Sequence, residues 1–593
     1  MNLHKEKQSI LLLSFIILIA FVLRIWEFNF GLPSLFHYDE RLFPVDAFYR
    51  LSHKGQASPT YHFYAYGDLI PNILAVFYGI YYLILKFIKI VYTPFDFLVL
   101  YARDPSSVYL IGRMLFVLSS SISVFVLYLI GKRLYNKTVG LLSAFFFTFS
   151  FLAVQQAKFM KEDALGILMM LISVYFCFSQ KDEEDVNGRI KRKKYILTGI
   201  FAGLAIAARF TLVIYLITPA IVFLMEKKIL FTNRIKNCLT FILCSVTTFL
   251  ALTPSAIFSF DKFTNTIFGL GTRFSVSRSV SIQPNWLIYL TEHIKNGIGM
   301  PLEIVGILGI LYSLYKKENV SFIVFIILFW GAILNLGTCP WYAIAIIPFI
   351  VFFAAKFIYE ISIIICKKKP KTRHFFIAVV SILVVIPPLL NVLKYNYLIS
   401  CPDTRNLAKE FIEKTIPPES KIVSEGMEYF DQTSIVGVPL HKSNKQFKEQ
   451  FERASKQNVN GIFLLAMIKG QKDPRYILEN VSVLEKPPYI GGYVTTVKIY
   501  TQNEVDYLIT TSWVRGREEG DTMPDEFRKS FEKDRIFIKE FVPNPVFKWD
   551  YYCFKVDYNA LSKVSIFDKN ITGGPIIRIY KLKKPLESVE LRE

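Results

Sequence analysis

The stretch SLFHYDERLF, residues 34–43, places two adjacent carboxylates, Asp39 and Glu40, just past the first long apolar run of the chain. Acidic residues are cheaply solvated at a membrane exit, so interface solvation alone would explain the pair. A carboxylate can also take the proton of an acceptor hydroxyl. Cationic groups recur further along: Lys158 in QQAKFMKED (155–163), followed by Asp163, then Arg209 between two apolar runs. The loop 259–299 adds Arg273, Arg278, Trp286 and His293. Arg and Lys can hold a phosphate as it leaves. Carboxylates and cations on one membrane face therefore suit transfer from a membrane-held phosphate donor. Each residue also has a simpler role. Asp163 would cap the helix after it, and Lys158 and Arg113 would anchor at the interface by snorkelling. His293 would sit on a helix surface. Trp286 would join an interfacial aromatic belt, although it could also stack on a sugar.

What must position these groups is a set of membrane helices. The 593 residues are 53% hydrophobic and 16% aromatic, with a mean hydropathy of +0.37. Several apolar runs reach the ~17–25 residues that cross a bilayer as a helix. The net charge of +21 is unevenly placed. Residues 401–593 hold 30 Lys and Arg against 28 Asp and Glu, so the basic excess belongs to the loops of residues 1–400. That reads as topology and argues against a nucleic-acid partner. The start, MNLHKEKQSILLLSFIILIAFVLRIWEF, lacks a small-x-small cleavage site and reads as a retained first helix.

Apolar blocks fall near 9–28, 69–90, 108–130, 138–154, 164–180, 195–208, 210–226, 235–258, 300–316, 319–337, 341–362 and 373–396. Basic clusters at GKRLYNK (131), GRIKRKK (188), EKKILFTNRIK (226), YKKEN (315) and CKKKPKTRH (366) should be cytoplasmic. With a cytoplasmic N-terminus they all fall inside only if block 69–90 does not cross. That block holds Pro71, Lys86 and Lys89 and is expected to be re-entrant or interfacial. The expectation is about eleven transmembrane helices in residues 1–400, with outer loops 29–107 and 259–299. Residues 401–593 then form an extracytoplasmic α/β domain: a helical pattern in CPDTRNLAKEFIEKT, then strand-like SKIVS, GGYVTTVKIYTQ and VDYLITTSWV. Cys401 and Cys553 could pair there; seven cysteines in all show no metal-ligand spacing.

FHYDERLFPVDAFYRL resembles the first-loop Asp-Glu signature of the GT-C glycosyltransferases that use lipid carriers, glycosyltransferase family 39, which includes protein O-mannosyltransferases and aminoarabinose transferases. YAYGDLIPNILAVFY, with Tyr66, is similar to that family's segment before its juxtamembrane helix. GRMLFVLSSSISVFVLYLIGKRLYNKTVGLLSA, AVQQAKFMKEDALGILM, LTPSAIFSFDKF and WYAIAIIPFI follow in the family's order over about 400 residues. The resemblance implies a polytopic α-helical GT-C fold. It implies the base role for Asp39 with Glu40 beside it, and gives Lys158, Asp163 and Arg113 the family's basic and acidic positions. One departure stands out: many relatives place an Arg before the Tyr at 342, whereas here Trp341 precedes Tyr342. Arg273 or Arg278 could supply that phosphate contact.

The expected reaction moves a sugar from a polyprenyl-phosphate (dolichyl- or undecaprenyl-type) donor in the membrane lipid to a protein, lipid or glycan hydroxyl. Attack at C1 would invert it, and the lipid phosphate would leave toward Lys158, Arg209 and Arg273 or Arg278. Asp39 and Glu40 could hold a divalent cation such as Mg or Mn. No Gly-rich phosphate loop is present, so no nucleotide cofactor is expected. The alternatives are a flippase or transporter of lipid-linked saccharides and an inactive relative that only binds a partner. Transporters usually carry midplane ionisable residues and internal repeats, and neither pattern is visible here.

Overall fold

The computed structural model describes residues 2–37, 40, 42–53, 67–178, 189–226, 230–258, 260–261, 263–264, 285–333, 340–367 and 369–425. Beyond these it describes 438–441, 443, 446, 466, 469–470, 473, 475–481, 505–512, 535–547 and 558–582. Asp39, Tyr66, Arg273, Arg278 and Cys553 lie outside the described residues, as does the strand expected in GGYVTTVKIYTQ.

The chain is a polytopic, mostly helical membrane protein with a small sheet near its C-terminus. It divides into two compact units. The first is Met1–Phe28, Leu42–Ala75 and Gly112–Val392; the second is Asn29–Arg41, Val76–Ile111 and Leu393–Glu593.

The helices follow the apolar blocks. They are α1 (Asn2–Ile25), α2 (Leu42–Ser52), α3 (Leu69–Phe87), α4 (Pro94–Arg103), α5 (Ser106–Leu134), α6 (Lys137–Thr148), α7 (Phe151–Ala157), α8 (Glu162–Cys177) and α9 (Arg189–Ala208). A 3-10 turn over Phe210–Leu216 leads into α10 (Ile217–Leu224), followed by α11 (Phe231–Leu252). A kinked stretch, Trp286–Ile298, then bends by 112° into α12 (Met300–Tyr315). Next come α13 (Val320–Ile333), α14 (Ile347–Cys366) and α15 (Pro370–Ser400). Local sequence sets several of their ends. Thr93 and Asp96 form a reciprocal capping box ahead of α4, with Pro94 at its first position. Asn136 caps α6 by accepting from the Val139 N–H at 3.0 Å.

The block at 138–154 is broken: α6 and α7 meet at 61°. Among the described residues six helices are long and apolar enough to cross a membrane, or eight if each bent pair is one span. The expected eleven includes shorter apolar pieces such as Val320–Ile333. Block 69–90, expected to be re-entrant or interfacial, carries a continuous helix of 19 residues, Leu69–Phe87, whose length permits a crossing.

Packing in the first unit uses small residues where helices meet closely. Gly199 and Gly203, four apart on α9, face α11. A Cβ at Gly199 would come within 2.6 Å of the Cys244 Cβ and the Phe241 carbonyl, and one at Gly203 within 2.5 Å of the Ser245 carbonyl. Such small-xxx-small stripes let two backbones touch where lipid supplies no hydrophobic drive.

In the second unit α16 (Thr404–Thr415) precedes a five-stranded sheet of β1 (Lys421–Glu425), β2 (Ile477–Val481), β3 (Tyr507–Thr511), β4 (Arg535–Phe541) and β5 (Ile577–Leu582). The order is β2-β1-β3-β5-β4. β1 runs parallel to β2 and β3, whereas β5 is antiparallel to β3 and β4. Ala408, Ile412 and Ile416 form one core with Ile422, Leu478, Ile509, Ile577 and Ile579. The helix–strand pattern read after residue 400 is present, with α16, β1 and β3 on the segments read for them.

Candidate active site

In the first unit, three cations gather at the C-terminal end of α1. Arg24 is fully buried and donates to Ser120 Oγ at 2.7 Å, and to the carbonyls of Ala20 (3.0 Å), Thr148 (3.2 Å) and Phe147 (3.3 Å). Lys158, in the turn between α7 and α8, donates to the carbonyl of Arg24 at 3.3 Å and to that of Trp26. Arg113 on α5 donates to the Phe28 carbonyl at 2.7 Å. A helix C-terminus leaves carbonyls without intrahelical partners and carries partial negative charge. Side chains from two other segments, Lys158 and Arg113, satisfy carbonyls at and just past that end. Burial pushes the Lys158 ammonium down to about 7; Arg24 and Arg113 add repulsion and Glu27 opposes it.

A second group surrounds Arg209, at the break between α9 and the 3-10 turn. Its guanidinium pairs with Asp163 Oδ1, donates from Nε to Thr211 Oγ1 at 3.0 Å, and reaches the Trp341 carbonyl at 3.4 Å and 3.5 Å. The Tyr342 ring lies 5.8 Å from it, and Lys161 sits 4.0 Å from the Trp341 ring centroid. Asp163 Oδ2 is buried and has no hydrogen bond among the described residues. Asp163 occupies the first turn of α8, where a carboxylate also favours the helix dipole.

Sequence reasoning missed a third group. Arg50 on α2 is gripped by Asp46 and Asp68, each at 2.6 Å, and donates to Asn72 Oδ1 at 2.9 Å. All three charges are buried. The i, i+4 spacing of Asp46 and Arg50 was a legible signal for half of it; Asp68 required the fold.

Of the residues singled out, the structure brings Lys158 and Arg113 to the end of α1, and Asp163, Arg209 and Tyr342 to one another. His293 is buried edge-on to Tyr289, with ring centroids 5.1 Å apart, instead of lying on a helix surface. Trp286 is exposed. Glu40 belongs to the second unit and is fully buried. Among the described residues no three His, Cys, Asp or Glu side chains converge as a metal ion would need.

The described chain thus combines a polytopic helical bundle, with charged groups at its helix breaks, and a small α/β sheet region near the C-terminus. The family model for dolichyl-phosphate-mannose-protein mannosyltransferase matches residues 107–258, the segment carrying Arg113, Lys158, Asp163 and Arg209. The resemblance read from the sequence is borne out there. Among solved structures the chain is similar to the apo oligosaccharyltransferase of Archaeoglobus fulgidus (10% identity, 98% of this chain and 89% of that one, TM-score 0.47). It is also similar to AglB of that organism with an inhibitory peptide and a dolichol-phosphate (11%, 85% and 69%, 0.44). A third is ArnT of Cupriavidus metallidurans bound to undecaprenyl phosphate (11%, 71% and 83%, 0.44). No curated protein matches the chain.

Proposed function

We propose that this chain transfers a sugar from a polyprenyl-phosphate carrier to a hydroxyl acceptor on a protein, lipid or glycan. The observation that carries the reading is the family match on 107–258, which covers the elements holding Lys158, Asp163 and Arg209. Asp39 removes the acceptor proton as the oxygen attacks C1, the bond from C1 to the phosphate oxygen breaks, and the configuration inverts. Arg209, Arg273 and Arg278 offer guanidinium donors to the departing lipid phosphate. Lys158 and Arg113, spent on carbonyls past the end of α1, fix the root of the loop that leads to Asp39.

With block 69–90 not crossing, the N-terminus is cytoplasmic and residues 401–593 lie outside, a reading that the basic clusters support. A divalent cation, where used, would be held by Asp39 and Glu40 as hard oxygen ligands; no step above depends on it.

Asp39→Asn tests the reading. The change removes a proton acceptor while keeping size and hydrogen-bonding shape. Transfer in detergent with lipid-phosphate sugar in excess should fall by ~10²–10⁴, with protein yield unchanged. A variant keeping more than about a tenth of wild-type turnover contradicts even the low end of that range. Mass spectrometry of surface glycans with and without the protein would name the sugar and the acceptor.

A further inference from the structure

We propose that Arg405, at the start of the C-terminal domain, is a positioning residue for the loop that carries Asp39 and Glu40, and that it acts through Phe36. The inference rests on the proposed function, and every residue in it belongs to the second unit.

Arg405 is fully buried on the first turn of α16. Asp403 holds it twice, Nε to Oδ1 at 2.8 Å and the terminal amino group to Oδ2 at 2.7 Å. The same Oδ1 accepts the Arg405 backbone N–H at 2.9 Å, capping the helix. The guanidinium carbon then lies 3.5 Å from the Phe36 ring centroid. This is a desolvated, planar cation on a π face. Gly31 (φ +71°) also approaches the ring so closely that a Cβ there would sit 3.0 Å from Phe36 Cδ2. Phe36 is thus packed against both Arg405 and Gly31, and Ser34 Oγ reaches Asn406 Oδ1 at 3.4 Å.

The Arg405 contact is anchored in the sheet. Thr404 N–H donates to the Gly573 carbonyl at 2.9 Å, Gly573 N–H to the Pro402 carbonyl at 2.9 Å, and Thr404 Oγ1 to the Pro575 carbonyl at 2.6 Å. Residues 573–575 run directly into β5, which is paired on both edges. A continuous path thus leads from the sheet through Asp403 and Arg405 to Phe36. Asp39 follows three residues later, and Glu40 beside it is fully buried. A general base has to be held within a fraction of an ångström of its target, and a 1 Å error can cost about 10²-fold. The contacts on Phe36 restrain the backbone three residues before the Asp39–Glu40 pair.

The test uses the full chain in detergent with Arg405→Lys, Phe36→Leu, the double variant and Phe36→Tyr, and with Asp39→Asn in parallel. Arg405→Lys keeps the charge and loses the planar stack; Phe36→Leu leaves the Arg405–Asp403 pair intact should Arg405→Lys fold poorly. Each should lower kcat about tenfold with the donor KM within about twofold. The double variant should be no worse than the weaker single, because both break one contact. Phe36→Tyr, which keeps the ring face, should retain most of the activity. Amide exchange over residues 34–37 should accelerate about tenfold while β1, β3 and β5 keep their protection.

Unchanged exchange at 34–37, or kcat losses that multiply in the double variant, overturns the proposal. So does undiminished kcat in Phe36→Leu. Asp39→Asn with full turnover overturns the proposed function instead, and the exchange response still reports whether Arg405 holds the loop.

Discussion

The ammonium of Lys158 donates to the main-chain carbonyl of Trp26, one residue past the end of α1. A residue read from the sequence as a contact for the leaving phosphate is thereby occupied at the root of the segment that follows α1. Lys158→Met should leave the carbonyls of Trp26 and Arg24 without that donor. An orphaned buried polar group costs about 1–3 kcal/mol, so thermal unfolding in detergent should shift down by several degrees. Lys158→Met melting with the wild type would show that water satisfies this helix end unaided.

The same lysine sets a pH dependence. Its folded pKa of about 7 lies below the ordinary value of 10.5. Between those values the folded state binds fewer protons than the unfolded state, so stability rises with pH. The contribution is least favourable below about pH 7 and is relieved as pH approaches 10. Denaturation midpoints measured from pH 6.5 to 9.5 should climb in the wild type and climb less in Lys158→Met. Parallel profiles would place Lys158 in a more polar setting than the structure gives it.

Asp163 and Arg209 are a buried pair. Removing one partner from such a pair costs about 3–5 kcal/mol, because the other charge is left desolvated, whereas replacing both can be nearly neutral. Asp163→Ala should therefore unfold more readily than Asp163→Ala/Arg209→Met. The reverse order would mean that Asp163 is stabilised mainly by the α8 N-terminus.

Arg50 bridges two buried carboxylates, one from α2 and one from the turn before α3. Arg50→Met should be more damaging than Asp46→Asn, since it leaves Asp46 and Asp68 facing each other without a counter-charge. Comparing purified yield and melting temperature of the two variants decides the order.

The topology is open to labelling. In a cysteine-free background, Thr60→Cys and Leu98→Cys should both react with a membrane-impermeant thiol reagent from outside. If Leu98→Cys reacts only after permeabilisation, α3 crosses the bilayer and the eleven-span arrangement fails.

What the sequence determined by itself lies in near-neighbour physics. Apolar runs of membrane length, the capping box at Thr93 and Asp96, the cap at Asn136 and the helix–strand pattern after residue 400 are set by residues a few positions apart. The family's charged residues were legible as types in order, because their motifs are local. Their partners were decided only in three dimensions. Lys158 meets a carbonyl 132 residues away, Arg113 one that is 85 away, and Arg209 a tryptophan carbonyl 132 away. Asp68 closes on Arg50 across 18 residues, and Arg405 stacks on Phe36 from the far end of the chain. Desolvation requires that a buried charge find a partner, but it does not say which one. Helix packing makes that choice: breaks at Arg209 and between α6 and α7, and the close approach at Gly199 and Gly203, determine which helix end each cation can reach.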